Sequence, residues 1–116
     1  MPDDAPVDEE VERWIESPET RVTHRTVRYR ENRRVADYAF VHEICLNGSW
    51  VEIAKIDCAH GEVHKHWPPP DESGRLQRIV ILPIYSQEDV EKTYQDSLNE
   101  IYDNLEENER KWRDGR

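Results

Sequence analysis

Residues 35–59, VADYAFVHEICL-NG-SWVEIAKIDCA, decide the fold. Apolar and polar side chains alternate through Val35–Leu46 and again through Ser49–Ala59, the two-residue period of a strand with unlike surroundings on its two faces. In the first run Ala36, Tyr38, Phe40, His42, Ile44 and Leu46 share a side, opposite Val35, Ala39, Val41 and Cys45. In the second, Trp50, Ala54, Ile56 and Cys58 oppose Val51, Ile53 and Lys55. Asn47-Gly48 between them tolerates the positive φ of a type I′ turn, so the runs predict an antiparallel hairpin.

Outward from this hairpin, an earlier strand runs from Thr20 to Glu31, with Val22, His24, Thr26, Arg28 and Arg30 on one face. Glu31-Asn32-Arg33-Arg34 reads as the turn into Val35. On the other side Gly61 interrupts or kinks the strand, and Val63–Trp67 continues it beyond a bulge. Pro68-Pro69-Pro70 breaks the pattern, and Leu76–Leu82, the most apolar run, predicts a central buried strand. Val90, Tyr94, Leu98, Ile101, Leu105 and Trp112 recur at helical spacing behind Ser86, a good N-cap, so one long helix spans Ser86–Trp112. Val7, Val11, Trp14 and Ile15 predict a short helix over Asp8–Ser17, ended by Pro18. The expected architecture is α+β. A four-stranded, mainly antiparallel sheet carries the long C-terminal helix on one face and a short N-terminal helix. Residues 1–19 form an acidic tail and residues 20–116 a single domain.

The chain has 116 residues, enough for one modest core. Its formal net charge of −10 argues against general nucleic-acid affinity. The charge is uneven, with eight acids against Arg13 in residues 1–19 and six arginines against Glu31 in residues 20–34. Two cysteines are too few for a disulfide scaffold, and no leader-like or membrane-spanning run is present, so a cytoplasmic location is expected.

The chemistry concentrates in Asp57–His66, DCAHGEVHKH, where the third strand ends. His64 and His66 project from one face of a strand, and a bulge at Gly61 could turn His60 toward them. Histidines with Asp57 beside them suit acid–base catalysis, since imidazole both takes and gives a proton near neutral pH. Ribonuclease chemistry needs such groups plus cations for the phosphate, which Arg28 and Arg30 could supply, and Trp67 could stack on a base. His60, His64 and His66 are equally candidates for a zinc site, although H-x3-H-x-H matches no strong zinc motif. A third reading is a non-enzymatic module that docks on a partner or on itself as a homodimer through its charged surfaces. Each residue also has a plain structural reading: polar strand ends for the histidines, a solvated hairpin for the arginines, and a half-buried strand cysteine for Cys58.

The run Ile56-Asp57-Cys58-Ala59-His60-Gly61-Glu62-Val63-His64-Lys65-His66 precedes a proline-broken loop, an apolar strand and a helix opening Ser86-Gln87-Glu88-Asp89-Val90. This order resembles the TumE-type toxins of toxin–antitoxin operons, and related small prokaryotic domains with a D-x-AHG-x-x-H core, over roughly Tyr38–Leu105. The positions carrying the resemblance are Asp57, Ala59, His60, His64 and His66. It implies a small cytoplasmic protein with an antitoxin partner and a growth-inhibiting activity directed at RNA. The acid–base reading requires no cofactor, and zinc belongs to the metal reading.

Overall fold

The computed structural model describes residues 5–59 and 61–115. Six strands follow in chain order: β1 (Val7–Ser17), β2 (Thr20–Tyr29), β3 (Val35–Leu46), β4 (Ser49–Ala59), β5 (Glu62–Trp67) and β6 (Gln77–Pro83). They form one sheet in the order β1-β2-β3-β4-β5-β6, every neighbouring pair antiparallel. Two helices, α1 (Gln87–Asp103) and α2 (Leu105–Asp114), close the chain. The α+β class and the antiparallel sheet agree with the sequence pattern, but six strands stand where four were expected.

The added strands have separate causes. Val7–Ser17 is a strand and not a helix, because Val7, Val11 and Ile15 share one side at period two as readily as at helical spacing. Two turns of isolated helix are marginal in water. Pairing with β2 instead supplies a ladder from Val7↔Tyr29 to Ser17↔Thr20, and ion pairs reinforce it. Asp8 meets Arg30 at 3.1 Å and Arg33 at 2.9 Å, Glu10 meets Arg33 at 3.1 Å, and Glu9 meets Arg25 at 3.2 Å. Asp8, Glu9 and Glu10 thus pair with arginines of β2 and of the turn that follows it. The second addition is β5. Gly61 takes φ +75°, and the chain reverses there so that Glu62 pairs back with Ala59 rather than prolonging β4.

One face of the sheet is covered. Val22, Tyr38, Phe40 and Ile56 pack beneath Val90 and Ile101 of α1, while Ile44 and Ile53 pack beneath Trp112 of α2. A register shift between His42 and Glu43 lets Ile53 and Ala54 both turn inward. Consequently Trp50 lies on the opposite, open face, under the guanidinium of Arg21 at 4.1 Å, and not beside Ala54 and Ile56 as the plain alternation implied. Leu76–Leu82 is also corrected: β6 is an edge strand, with Ile79 and Leu82 half exposed. The expected single C-terminal helix is broken at Asn104, whose side-chain amide donates to the Glu100 carbonyl and so competes with the helical backbone. Ser86 caps α1 as expected, accepting from the Asp89 N–H.

Candidate functional site

The open face of β4, β5 and β6 carries the titratable groups. Antiparallel pairing sets Asp57 opposite His64, Lys55 opposite His66, and His66 opposite Arg78. Cross-strand partners project to the same side, so the register alone gathers these side chains. His64 Nδ1 lies 3.6 Å from Asp57 Oδ1, and Nε2 lies 3.2 Å from Glu62 Oε2. Lys55 Nζ holds the other Asp57 oxygen at 3.3 Å. Asp57 Oδ1 is buried without a hydrogen bond among the described residues. The nearest group to receive it is the His64 ring.

Arg78 closes the cluster from above. Its Nη2 is 3.4 Å from His64 Nδ1 and 3.1 Å from Nε2. A position in the ring plane that close to both nitrogens would overlap the carbon between them, so the guanidinium sits over the ring face. That leaves both ring nitrogens directed at carboxylates. His64 is only 4% exposed, although no helix covers this side of the sheet; Arg78 and its strand neighbours bury it.

Beside His64, His66 borders a cavity of about 570 Å³ that Arg75, Gln77, Arg78, Glu52 and Asp71 also line. Burial lowers the His66 pKa below its ordinary value, Lys55 and Arg78 add to the lowering, and Asp57 and Glu52 oppose it. His66 is therefore neutral at pH 7 and able to accept a proton. Asp71 belongs to the turn rather than the cavity chemistry. Its carboxylate accepts from the Ser73 hydroxyl and from the N–H groups of Ser73 and Arg75, which holds its pKa low.

The expected site residues divide cleanly. Asp57, His64 and His66 come together, whereas His60 lies outside the described residues. Arg28 and Arg30 do not reach them. The Arg28 guanidinium lies 5.7 Å from the Tyr94 ring of α1, on the covered face, and Arg30 is held by Asp8 of β1. Trp67 is partly buried and packs against the core instead of standing free as a stacking platform. The cations near the histidines are Lys55, Arg75 and Arg78, which composition alone could not single out. Arg78 interrupts the apolar run Leu76–Leu82, and that interruption was the available signal. Burial pushes the Cys58 thiol up to about 12, so it is no nucleophile. Among the described residues no three of His, Cys, Asp and Glu are placed to hold a metal together, so a zinc site has no support from their geometry. Nor is any helix among them long and apolar enough to cross a membrane.

Comparison with curated proteins and with solved structures gives no match. The model of the family described as a domain of unknown function, DUF7718, matches residues 7–115, nearly the whole chain, and the protein belongs to that family.

Proposed function

We propose that the protein is a small cytoplasmic, toxin-like enzyme that cleaves RNA by histidine acid–base chemistry, its activity restrained in the cell by a protein antitoxin. The observation that carries this reading is the convergence of Asp57, His64 and His66 with Arg78 beside a cavity that Arg75 also lines. Residues two apart on a strand stand about 7 Å apart, a separation that lets two imidazoles address opposite sides of one phosphodiester. Neutral His66 takes the proton of the ribose 2′-hydroxyl as its oxygen attacks phosphorus. The bond from phosphorus to the 5′ oxygen breaks, and a protonated His64, oriented by Asp57, gives its own proton to that oxygen; exchange with solvent then removes the proton from His66 and restores one to His64. Arg78 and Arg75 hold the phosphate oxygens, with Arg78 turning from the His64 ring to do so. The net charge of −10 confines substrate attraction to this local patch of cations, so contacts with a long RNA are few.

The test is incubation of the purified chain with a labelled single-stranded RNA, without added metal. The expected products end in 2′,3′-cyclic phosphate; His66→Ala lowers the rate by at least about a hundredfold, the usual scale of a lost acid–base group, and Arg78→Ala lowers it by removing a phosphate contact. Intact RNA with the parent protein, or equal cleavage by His66→Ala, refutes the reading. A second reading, a non-enzymatic assembly module, is favoured by one observation: β1 is a long edge strand with exposed apolar side chains.

A further inference from the structure

We propose that two copies of this chain join through β1, antiparallel and centred on Val11, to form one continuous sheet; this deepens the assembly reading and needs nothing from the RNA-directed one. Among the described residues β1 pairs on one side only, with β2. The Arg30 N–H donates to the Pro6 carbonyl at 3.0 Å, which fixes which backbone groups face inward. By the alternation of an antiparallel ladder, residues 8, 10, 12 and 14 direct N–H and C=O toward β2. Val7, Glu9, Val11, Arg13 and Ile15 direct theirs to the free edge. The strand runs eleven residues, has no proline, and shifts register only at its end, between Ile15 and Ser17. Edge strands are usually blunted by prolines, bulges or brevity. This one is open along its length.

The side chains supply the partner and the register. Val7, Val11 and Ile15 are 42%, 46% and 62% exposed on the open face, in the same row as the outward backbone groups. A two-fold axis at Val11 places Val11 against the partner's Val11, Val7 against the partner's Ile15, and Glu9 against the partner's Arg13. Arg13 is the only base in residues 1–19 and has no ion pair among the described residues, while Glu9 already carries Arg25 at 3.2 Å. Every outward backbone group then finds its mate. Moving the axis by one residue sets Glu9 against the partner's Val11 or Ile15 and loses the Glu9–Arg13 match, the opposite-charge pair that favours this register. On the helix-bearing side the chosen axis sets Glu12 against the partner's Glu10 and Trp14 against the partner's Asp8. Within each chain Arg33 already neutralises both of those acids, at 3.1 Å and 2.9 Å. The basic hairpin that follows β2 thus keeps the acidic strand from repelling its copy.

The experiment measures mass in solution by light scattering on the full chain. The expected value for the parent at about 0.1 mM is twice 13.9 kDa, falling to a single chain in Arg13→Glu, with unchanged circular dichroism. A second variant fixes the register independently of that charge. With Cys45 replaced by Ser, Val11→Cys forms a dimer disulfide on mild oxidation, because Cα atoms of a hydrogen-bonded pair lie about 5.5 Å apart. Glu12→Cys, displaced from the axis, does not. A single-chain mass for the parent, an undiminished dimer in Arg13→Glu, or cross-linking of Glu12→Cys as readily as Val11→Cys overturns the proposal. If Arg13→Glu loses its sheet signal, the cysteine pair decides.

Discussion

His42 is the residue whose environment departs furthest from its chemistry. It is fully buried on the helix-bearing side, and neither ring nitrogen has a hydrogen-bond partner among the described residues. Burial brings its pKa down to about 4, against a small opposing pull from Glu43. In the unfolded chain the same imidazole titrates near 6.5. Between those values the unfolded chain holds a proton that the folded chain does not, so stability is fully present above about pH 6.5 and falls as pH is lowered toward 4. At pH 5 this group alone accounts for a loss of about 2 kcal/mol relative to pH 7.5. His42→Leu removes the two unpaired nitrogens and leaves an apolar side chain between Val22 and Ala54, its cross-strand neighbours. Urea unfolding at the two pH values should find the variant more stable than the parent, with a pH-dependent loss smaller by about 2 kcal/mol. An identical loss in both proteins would show that His42 is already hydrogen-bonded or hydrated. The sequence put His42 on one row with Tyr38 and Phe40, and in the structure all three are buried. That row gave no sign of an unsatisfied imidazole, because satisfaction depends on what the helices bring over it.

At the scale of elements, α1 does more than cover the sheet. The Val35 N–H donates to Glu91 Oε1 at 2.8 Å, and Gln87 Nε2 donates to the Val35 carbonyl at 2.7 Å. Two side chains one helical turn apart thus satisfy both backbone groups of the fully buried first residue of β3, as a neighbouring strand would. Glu91→Ala leaves that N–H without its acceptor and should cost about 1–3 kcal/mol in urea unfolding. Glu88→Ala, on the exposed side of the same turn, should change stability by less than about 0.5 kcal/mol. Equal effects would remove the grip from the account of how α1 is held. This contact was invisible in the sequence, because strand and helix are 52 and 56 residues apart at the two hydrogen bonds. The hairpin β3-β4 was legible because its pattern and its turn are local. Asn47 and Gly48 take φ +52° and +83°, the values that such a turn needs. The β4 bulge was not legible, since two adjacent apolar residues, Ile53 and Ala54, give no cue that both turn inward. The histidine cluster was half legible. Period two put His64 and His66 on one side, but the identity of β6 as their neighbour, and with it Arg78, depended on the turn at Gly61.

For the whole molecule the decisive quantity is charge. The meander makes each strand pair with its neighbour in sequence, so acidic β1 sits beside arginine-bearing β2 and the two largely compensate each other. The helices are compensated less: Arg34 reaches Glu91 at 3.8 Å and Glu88 at 4.0 Å, and Lys65 pairs with Glu100. Residues 86–116 carry ten acids against five bases, and most of the excess faces solvent. The molecule measures 43 × 27 × 23 Å along its principal axes, comparable with a Debye length of about 30 Å at 10 mM salt, so at low salt its surplus carboxylates repel one another across the whole surface. Opposing this are exposed helical pairs such as Lys92–Asp96 at 2.8 Å and Arg110–Asp114 at 3.2 Å. Such pairs are each worth about 0–1 kcal/mol and salt weakens them as well. The net charge of −10 lets the repulsion win. Raising potassium chloride from about 10 mM to about 1 M, where the Debye length falls to about 3 Å, should therefore raise the thermal unfolding midpoint by several degrees at fixed protein concentration. A lower midpoint in high salt would mean that the ion pairs of β1, β2 and the helices outweigh the self-repulsion, and that the acidic surface is a stabilising network instead of a tolerated excess.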